Sequence, residues 1–230
     1  MPNRKPILER SPGGSVIHRY AALARARTGL PDDATAQFAE AREKVYERFF
    51  GEVASIYHEV IPFVPHIDIH TYGRDERRGF FTLVTSGMSD LPMSVPPGAD
   101  VPKRVELIFY CPEPKDEYLE TLRWLARFPH DNKTWVGSGH TIPNGNPPEP
   151  LWGSSVLDTI LLMPTIISKP DRTLAQELIL DGDAVEFLWV VPLTTAECGL
   201  KLERGFAALL ELFGRKRHPS VFDAGRKSYV

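Results

Sequence analysis

The stretch Thr82-Leu83-Val84-Thr85-Ser86-Gly87-Met88-Ser89-Asp90-Leu91 decides the fold class of this chain. Its first four residues are β-branched or apolar, as a pleated, half-buried strand requires. Gly87 then interrupts the pattern, and Ser89 and Asp90 are residues that hydrogen-bond their own backbone in turns. Working outward, His66–Tyr72 alternates with a period of two, Phe80–Thr85 continues it, and Val105–Tyr110 resumes it after the proline-punctuated loop Gly87–Pro102. Three strands in a row are therefore expected. A helix follows over Leu119–Phe128, where Leu119, Leu122, Leu125 and Ala126 fall at spacings of three and four.

The second half repeats the order. Leu157–Met163 and Glu177–Leu180 read as strands, and Asp181-Gly182-Asp183 as a hairpin turn into Val185–Leu193. Thr194-x-x-Glu197 offers a capping box that opens a helix through Cys198, Leu202, Phe206, Leu209, Leu210 and Phe213, ending at Gly214. Upstream, Phe38, Arg42, Val45, Phe49, Val53, Ile56 and Val60 define an amphipathic helix from about Asp33 to Glu59, closed by Ile61-Pro62. This order lacks regular βαβ alternation. It predicts an α/β mixed (α+β) fold with a central mixed β-sheet flanked by helices. No linker composition divides the chain, so one domain over 31–230 is expected. Residues 1–30 form an extension: a charged, mobile arm over 1–14 and a short helix over Ser15–Thr28.

Composition narrows the function. A net charge of −3 disfavours delocalised nucleic-acid binding, and the longest apolar runs are too short to span a bilayer. Two cysteines and the absence of a secretory h-region point to the cytoplasm. The 21 prolines are roughly twice ordinary usage, which favours rigid connections. Five of them fall in the long irregular stretch Pro129–Trp152, where Phe128, Trp135 and Trp152 flank His130, Asn132, His140 and Asn144. A loop of this length is commonly a binding element, and its prolines hold it in shape before a partner arrives. The competing reading buries Trp135 and Trp152 against the sheet edge.

Several patterns invite chemistry. His66, Asp68 and His70 would share one face of a strand and could converge on a metal; equally, they form a solvated face over Ile67 and Ile69. Gly137-Ser138-Gly139-His140 suggests a phosphate loop, but Ile142 stands where a glycine is needed and Pro143, Pro147, Pro148 and Pro150 forbid the following helix. Ser89 follows a strand as a hydrolase nucleophile would, with His130 or His140 as a base, yet the second glycine of the elbow is replaced by Leu91. The cluster Arg215-Lys216-Arg217-His218 complements a helix C-terminus or forms a nucleic-acid or acidic-partner patch.

The segments Thr82–Leu91, Val105–Phe109 and Leu122–Thr141, then Glu186–Leu193, Leu209–Phe213 and Phe222–Lys227, together resemble the suppressor-of-fused domain family, over roughly Glu40 to the end. The animal namesake is a Hedgehog-pathway regulator that sequesters transcription factors and carries a further domain. This chain is similar instead to the stand-alone bacterial members. The resemblance implies protein binding without a cofactor or catalytic residues, as an immunity or partner-sequestering protein beside a toxin system. It makes Met88, Ser89, Asp90, His130, Trp135, His140, Asn144 and Trp152 the partner-binding or signature candidates, with Asn144–Trp152 the partner-specific part. It also suggests that Asp90 and His140 meet. A small metal-dependent or serine hydrolase, and a scaffold self-associating through the Asp33–Glu59 helix, are the alternatives.

Overall fold

The computed structural model describes residues 9–20, 27–28, 33–61, 63–75, 78–166, 168–169 and 172–230. Its main elements in chain order are α1 (Asp33–Phe50), β1 (Val53–Tyr57), β2 (Asp68–Tyr72), β3 (Phe81–Ser86), β4 (Arg104–Cys111), α2 (Asp116–Asp131), β5 (Thr141–Pro143), β6 (Leu157–Pro164), β7 (Ile179–Leu180), β8 (Asp183–Thr194), α3 (Thr195–Arg204) and α4 (Phe206–Lys216). They form two compact units. One comprises Arg25–His140 and Leu162–Val191; the other comprises Met1–Ala24, Thr141–Leu161 and Pro192–Val230. Neither unit is a continuous stretch, so no linker composition marks them in the sequence.

In the first unit β1, β2, β3 and β4 run antiparallel in that order. β8 then lies parallel to β4, with Val185–Trp189 opposite Arg104–Ile108. The parallel β4–β8 pair beside these antiparallel ones makes the sheet mixed, as its irregular element order predicted. The core gathers Ile67, Ile69, Leu83, Leu107, Phe109, Leu122, Leu125 and Phe187. Tyr46 of α1 is fully enclosed and meets Phe50, His70 and Phe187 edge-on, each at 5.8 Å between ring centroids. In the second unit β5 pairs antiparallel with the start of β6.

Four expected elements differ. α1 stops at Phe50, not Glu59, because Gly51 takes a φ of +85° and its amide bonds back to the Glu47 carbonyl at 2.9 Å. Val53 and Ile56, which extended the helical spacing, belong to β1 instead. The helix from Thr194 is two helices divided at Gly205, and the second runs past Gly214 to Lys216. Glu177 closes a short helical turn, so only Ile179–Leu180 is strand. Finally, Pro129 lies within α2, and Thr141–Pro143 gives the supposedly irregular stretch a strand.

Of the N-terminal extension, residues 1–8, 21–26 and 29–32 lie outside the described residues. The described part of the expected helix, Ser15–Tyr20, is not helical: Glu9–Arg10 pairs with Val16–Ile17 across a turn, and the Gly13 amide donates to the Leu202 carbonyl at 2.7 Å. Among the described helices none is long and apolar enough to cross a membrane.

Candidate functional site

The turn after β3 is held from every side by charged groups that are out of water. Gly87 has a φ of +121°, and a Cβ there would lie 1.8 Å from the His66 carbonyl oxygen, so only glycine fits. Glu106, in the middle of β4, is 0 % exposed. Its carboxylate accepts from the Thr85 hydroxyl at 2.5 Å, the Gly87 amide at 3.1 Å, the Ser89 amide at 3.0 Å and the Ser89 hydroxyl at 2.5 Å. Burial pushes its pKa up, against the pull of Arg42 and of these donors.

Arg42 of α1 ties the other end of the turn. It donates to the Ser86 hydroxyl at 3.0 Å and forms a buried ion pair with Asp90. Burial works against its charge, but Asp90 and Glu106 outweigh that, so the guanidinium is held protonated. Arg104 donates to the carbonyls of Ser89 and Asp90 at 2.7 and 2.9 Å, and His130 Nε2 meets the Met88 carbonyl at 3.0 Å. That contact requires the Nε2–H tautomer. Burial pushes the His130 pKa down to about 4, which keeps the ring neutral. Asp90 is paired with Arg42 through Oδ1, and His140 lies against Trp135, centroids 4.4 Å apart.

The long loop divides in character. Its first half is anchored: the Ser94 amide donates to the Thr134 carbonyl at 3.0 Å, and Val136 and Gly137 are buried. In the second half Gly145–Pro150 is exposed throughout, yet it is clasped at its base by Asn144. The Asn144 side-chain amide donates to the Glu149 carbonyl at 2.9 Å, and the Glu149 amide donates back to the Asn144 carbonyl at 2.6 Å. Trp152 is 5 % exposed and packs edge-on against Phe222 at 5.3 Å. Of the candidates, then, Met88, Ser89, Asp90 and Trp152 are interior, His130, Trp135 and His140 are half-buried, and Asn144 carries the exposed loop.

The chemical readings find little to stand on. Ser89 is wholly buried with its hydroxyl given to Glu106, which is the opposite of a presented nucleophile. His66, Asp68 and His70 do not converge, because β2 begins only at Asp68. Asp68 is bracketed by His58 Nδ1 at 2.9 Å and His66 Nε2 at 3.2 Å, while His70 is enclosed against Tyr46. Among the described residues no group of three or more metal-ligating side chains is placed to hold an ion.

A second buried carboxylate lies in the other unit. Glu197 completes the capping box of α3 with Thr194 and takes both arms of Arg226, at 2.6 and 2.8 Å. Its pKa is held low; burial opposes this, and Arg226 and the donors at Thr194 and Tyr229 overcome it. Arg226 also donates to the Pro192 carbonyl at 3.0 Å, which binds the C-terminal segment down. Sequence reasoning saw the capping box and missed the partner. It also missed Glu106, whose signal was a lone acid inside the apolar run Val105–Tyr110, and Arg42, a cation on the apolar face of α1.

The shared pattern behind this arrangement is recognised at the level of the whole domain. The family model described as suppressor of fused protein (SUFU) matches residues 64–227. The chain belongs to the suppressor-of-fused family. Its fold is similar to that of a putative SUFU homologue from Neisseria gonorrhoeae, with a TM-score of 0.63 and 17 % identity over 85 % of this chain and 98 % of that one. It is similar also to a structure of a Sufu–Fu complex, with a TM-score of 0.56 and 13 % identity over 87 % and 93 % of the two chains. With Drosophila Suppressor of Fused the TM-score is 0.53 and the identity 13 %, over 84 % of this chain and 50 % of that one. No curated protein sequence matches. Within the SUFU domain the match contains Glu106, the signature turn, the Asn144 loop, Glu197 and Arg226. Arg42 lies before it.

Proposed function

We propose that this suppressor-of-fused domain works by binding another protein through the loop Asn144–Pro150, as a cytoplasmic immunity or partner-sequestering protein of a bacterial toxin system. The observation that carries the reading is the loop itself: Gly145–Pro150 is exposed along its whole length, while the Asn144 clasp fixes its shape. A prearranged loop loses little conformational entropy on association. Family membership and the similarity to a Sufu–Fu complex support a protein partner. By contrast, the strongest polar clusters are consumed in holding the fold. Neither contains a solvent-facing nucleophile or a base poised beside one.

The test is co-purification from the native cell with the full chain and with Glu149→Lys, followed by co-expression with the recovered partner. The expected result is one protein partner whose recovery falls at least tenfold with Glu149→Lys at an unchanged melting temperature, and whose toxicity the wild-type chain suppresses. Equal recovery by the variant, or recovery of no protein, would overturn the reading.

A further inference from the structure

The free edge of the sheet in the first unit is β1, Val53–Tyr57, which pairs with β2 on one side and with no described strand on the other. Exposed edges are templates for another strand, and proteins ordinarily guard them with lysine, proline or inward charge. The sequence Val53-Ala54-Ser55-Ile56-Tyr57 contains none of these. Its one guard is a bulge between Val53 and Ser55 in the pairing with β2. Val53 and Tyr57 are partly exposed, and the chain continues into Val60 and Ile61, 92 % and 54 % exposed.

We propose that β1 pairs antiparallel with β1 of a second copy of this chain, about a twofold axis at Ser55. The charge pattern favours a second copy over an unrelated strand. Pairing about Ser55 sets Val53 opposite Tyr57 of the other copy and Ala54 opposite Ile56, an apolar–aromatic and an apolar pair of the kind that stabilise sheets. It also sets the exposed Glu52 opposite His58, and no like charges face one another. His58 turns Nδ1 to Asp68 at 2.9 Å, so the imidazolium form donates its Nε2–H to the Glu52 carboxylate across the seam. The end of the strand is already rigid: Arg123 donates to the Tyr57 carbonyl at 2.8 Å and its guanidinium lies 4.4 Å from the centre of the Tyr57 ring. Ordering therefore costs little on association. Five residues a side make a small seam, so the dimer is weak and concentration-dependent.

Sedimentation velocity of the full chain from low to high micromolar concentration tests this. The expected result is a monomer–dimer equilibrium that Ser55→Lys abolishes by placing two ammonium groups at the axis, with circular dichroism and melting unchanged. Ser55→Cys in a Cys198→Ser background keeps the strand intact and is expected to give a disulfide-linked dimer on mild oxidation. A wild-type chain that stays monomeric throughout would overturn the proposal. So would Ser55→Lys dimerising as well as wild type, or a dimer that Ser55→Cys does not cross-link. Partner capture through the Asn144 loop is expected to survive Ser55→Lys, so the two readings fail separately.

Discussion

Replacing Glu106 by Gln keeps the shape of the side chain and removes its charge, which isolates what the buried carboxylate does for the turn Gly87–Asp90. Oε1 accepts three hydrogen bonds, from the Gly87 amide and from the Ser89 amide and hydroxyl. Turning a charged acceptor into a neutral one costs roughly 1 kcal/mol per bond, about 3 kcal/mol in all. The amide nitrogen would then face the Thr85 hydroxyl, which already accepts from the Leu107 amide at 2.7 Å and would lose its own acceptor. Set against this is the relief of desolvating a carboxylate, so the net loss is about 2 kcal/mol. For a chain of this size that corresponds to roughly 4–8 °C in melting temperature. Glu106→Ala, which leaves the buried Gly87 and Ser89 amides without their acceptor, costs about 4 kcal/mol or more. The assay is thermal unfolding of both variants, combined with hydrogen exchange at the Gly87 and Ser89 amides, which are expected to open first. If Glu106→Gln melts within about 1 °C of wild type and both amides stay protected, the carboxylate does not organise the turn.

Three further outcomes follow from the same packing. Gly87→Ala must displace the backbone, since its Cβ would fall 1.8 Å from the His66 carbonyl oxygen, and is expected to cost more than about 3 kcal/mol in chemical denaturation. Arg226→Met leaves Glu197 buried and unpaired, with an expected cost of about 3–5 kcal/mol and early proteolysis of the segment from Phe222 onward; a tail that resists protease equally in both proteins would refute it. Burial pushes His70, His130 and His218 each down to about 4 from an ordinary 6.5. The unfolded chain therefore takes up these protons first, so stability present above pH 6.5 is lost as pH falls toward 4. Urea midpoints measured across that range are expected to drop, with a shallower slope for His130→Gln; a flat profile would contradict the assignment.

What could be read along the chain was what depends on neighbours. The strands over Thr82–Ser86 and Val105–Tyr110, the turn at Asp181-Gly182-Asp183 and the Thr194–Glu197 capping box all appear where expected, because each is decided within a few residues. The end of α1 was misplaced because Val53, Ile56 and Val60 prolong a helical spacing that Gly51 in fact terminates. Aromatic content marked Trp135 and Trp152 alike, yet only packing separates a half-buried ring from one set against Phe222.

By itself, the sequence determined the mixed order of the sheet and membership of the suppressor-of-fused family, since these rest on periodicity and on motifs in a recognisable order. Only the tertiary structure decided which charged residues are spent on the fold. Arg42 meets Asp90 across 48 positions and Arg226 meets Glu197 across 29, separations at which spacing carries no information about contact. A buried charge is defined by what surrounds it. The exposed loop clasped by Asn144 stands out as a surface for a partner only once those interior pairings are known.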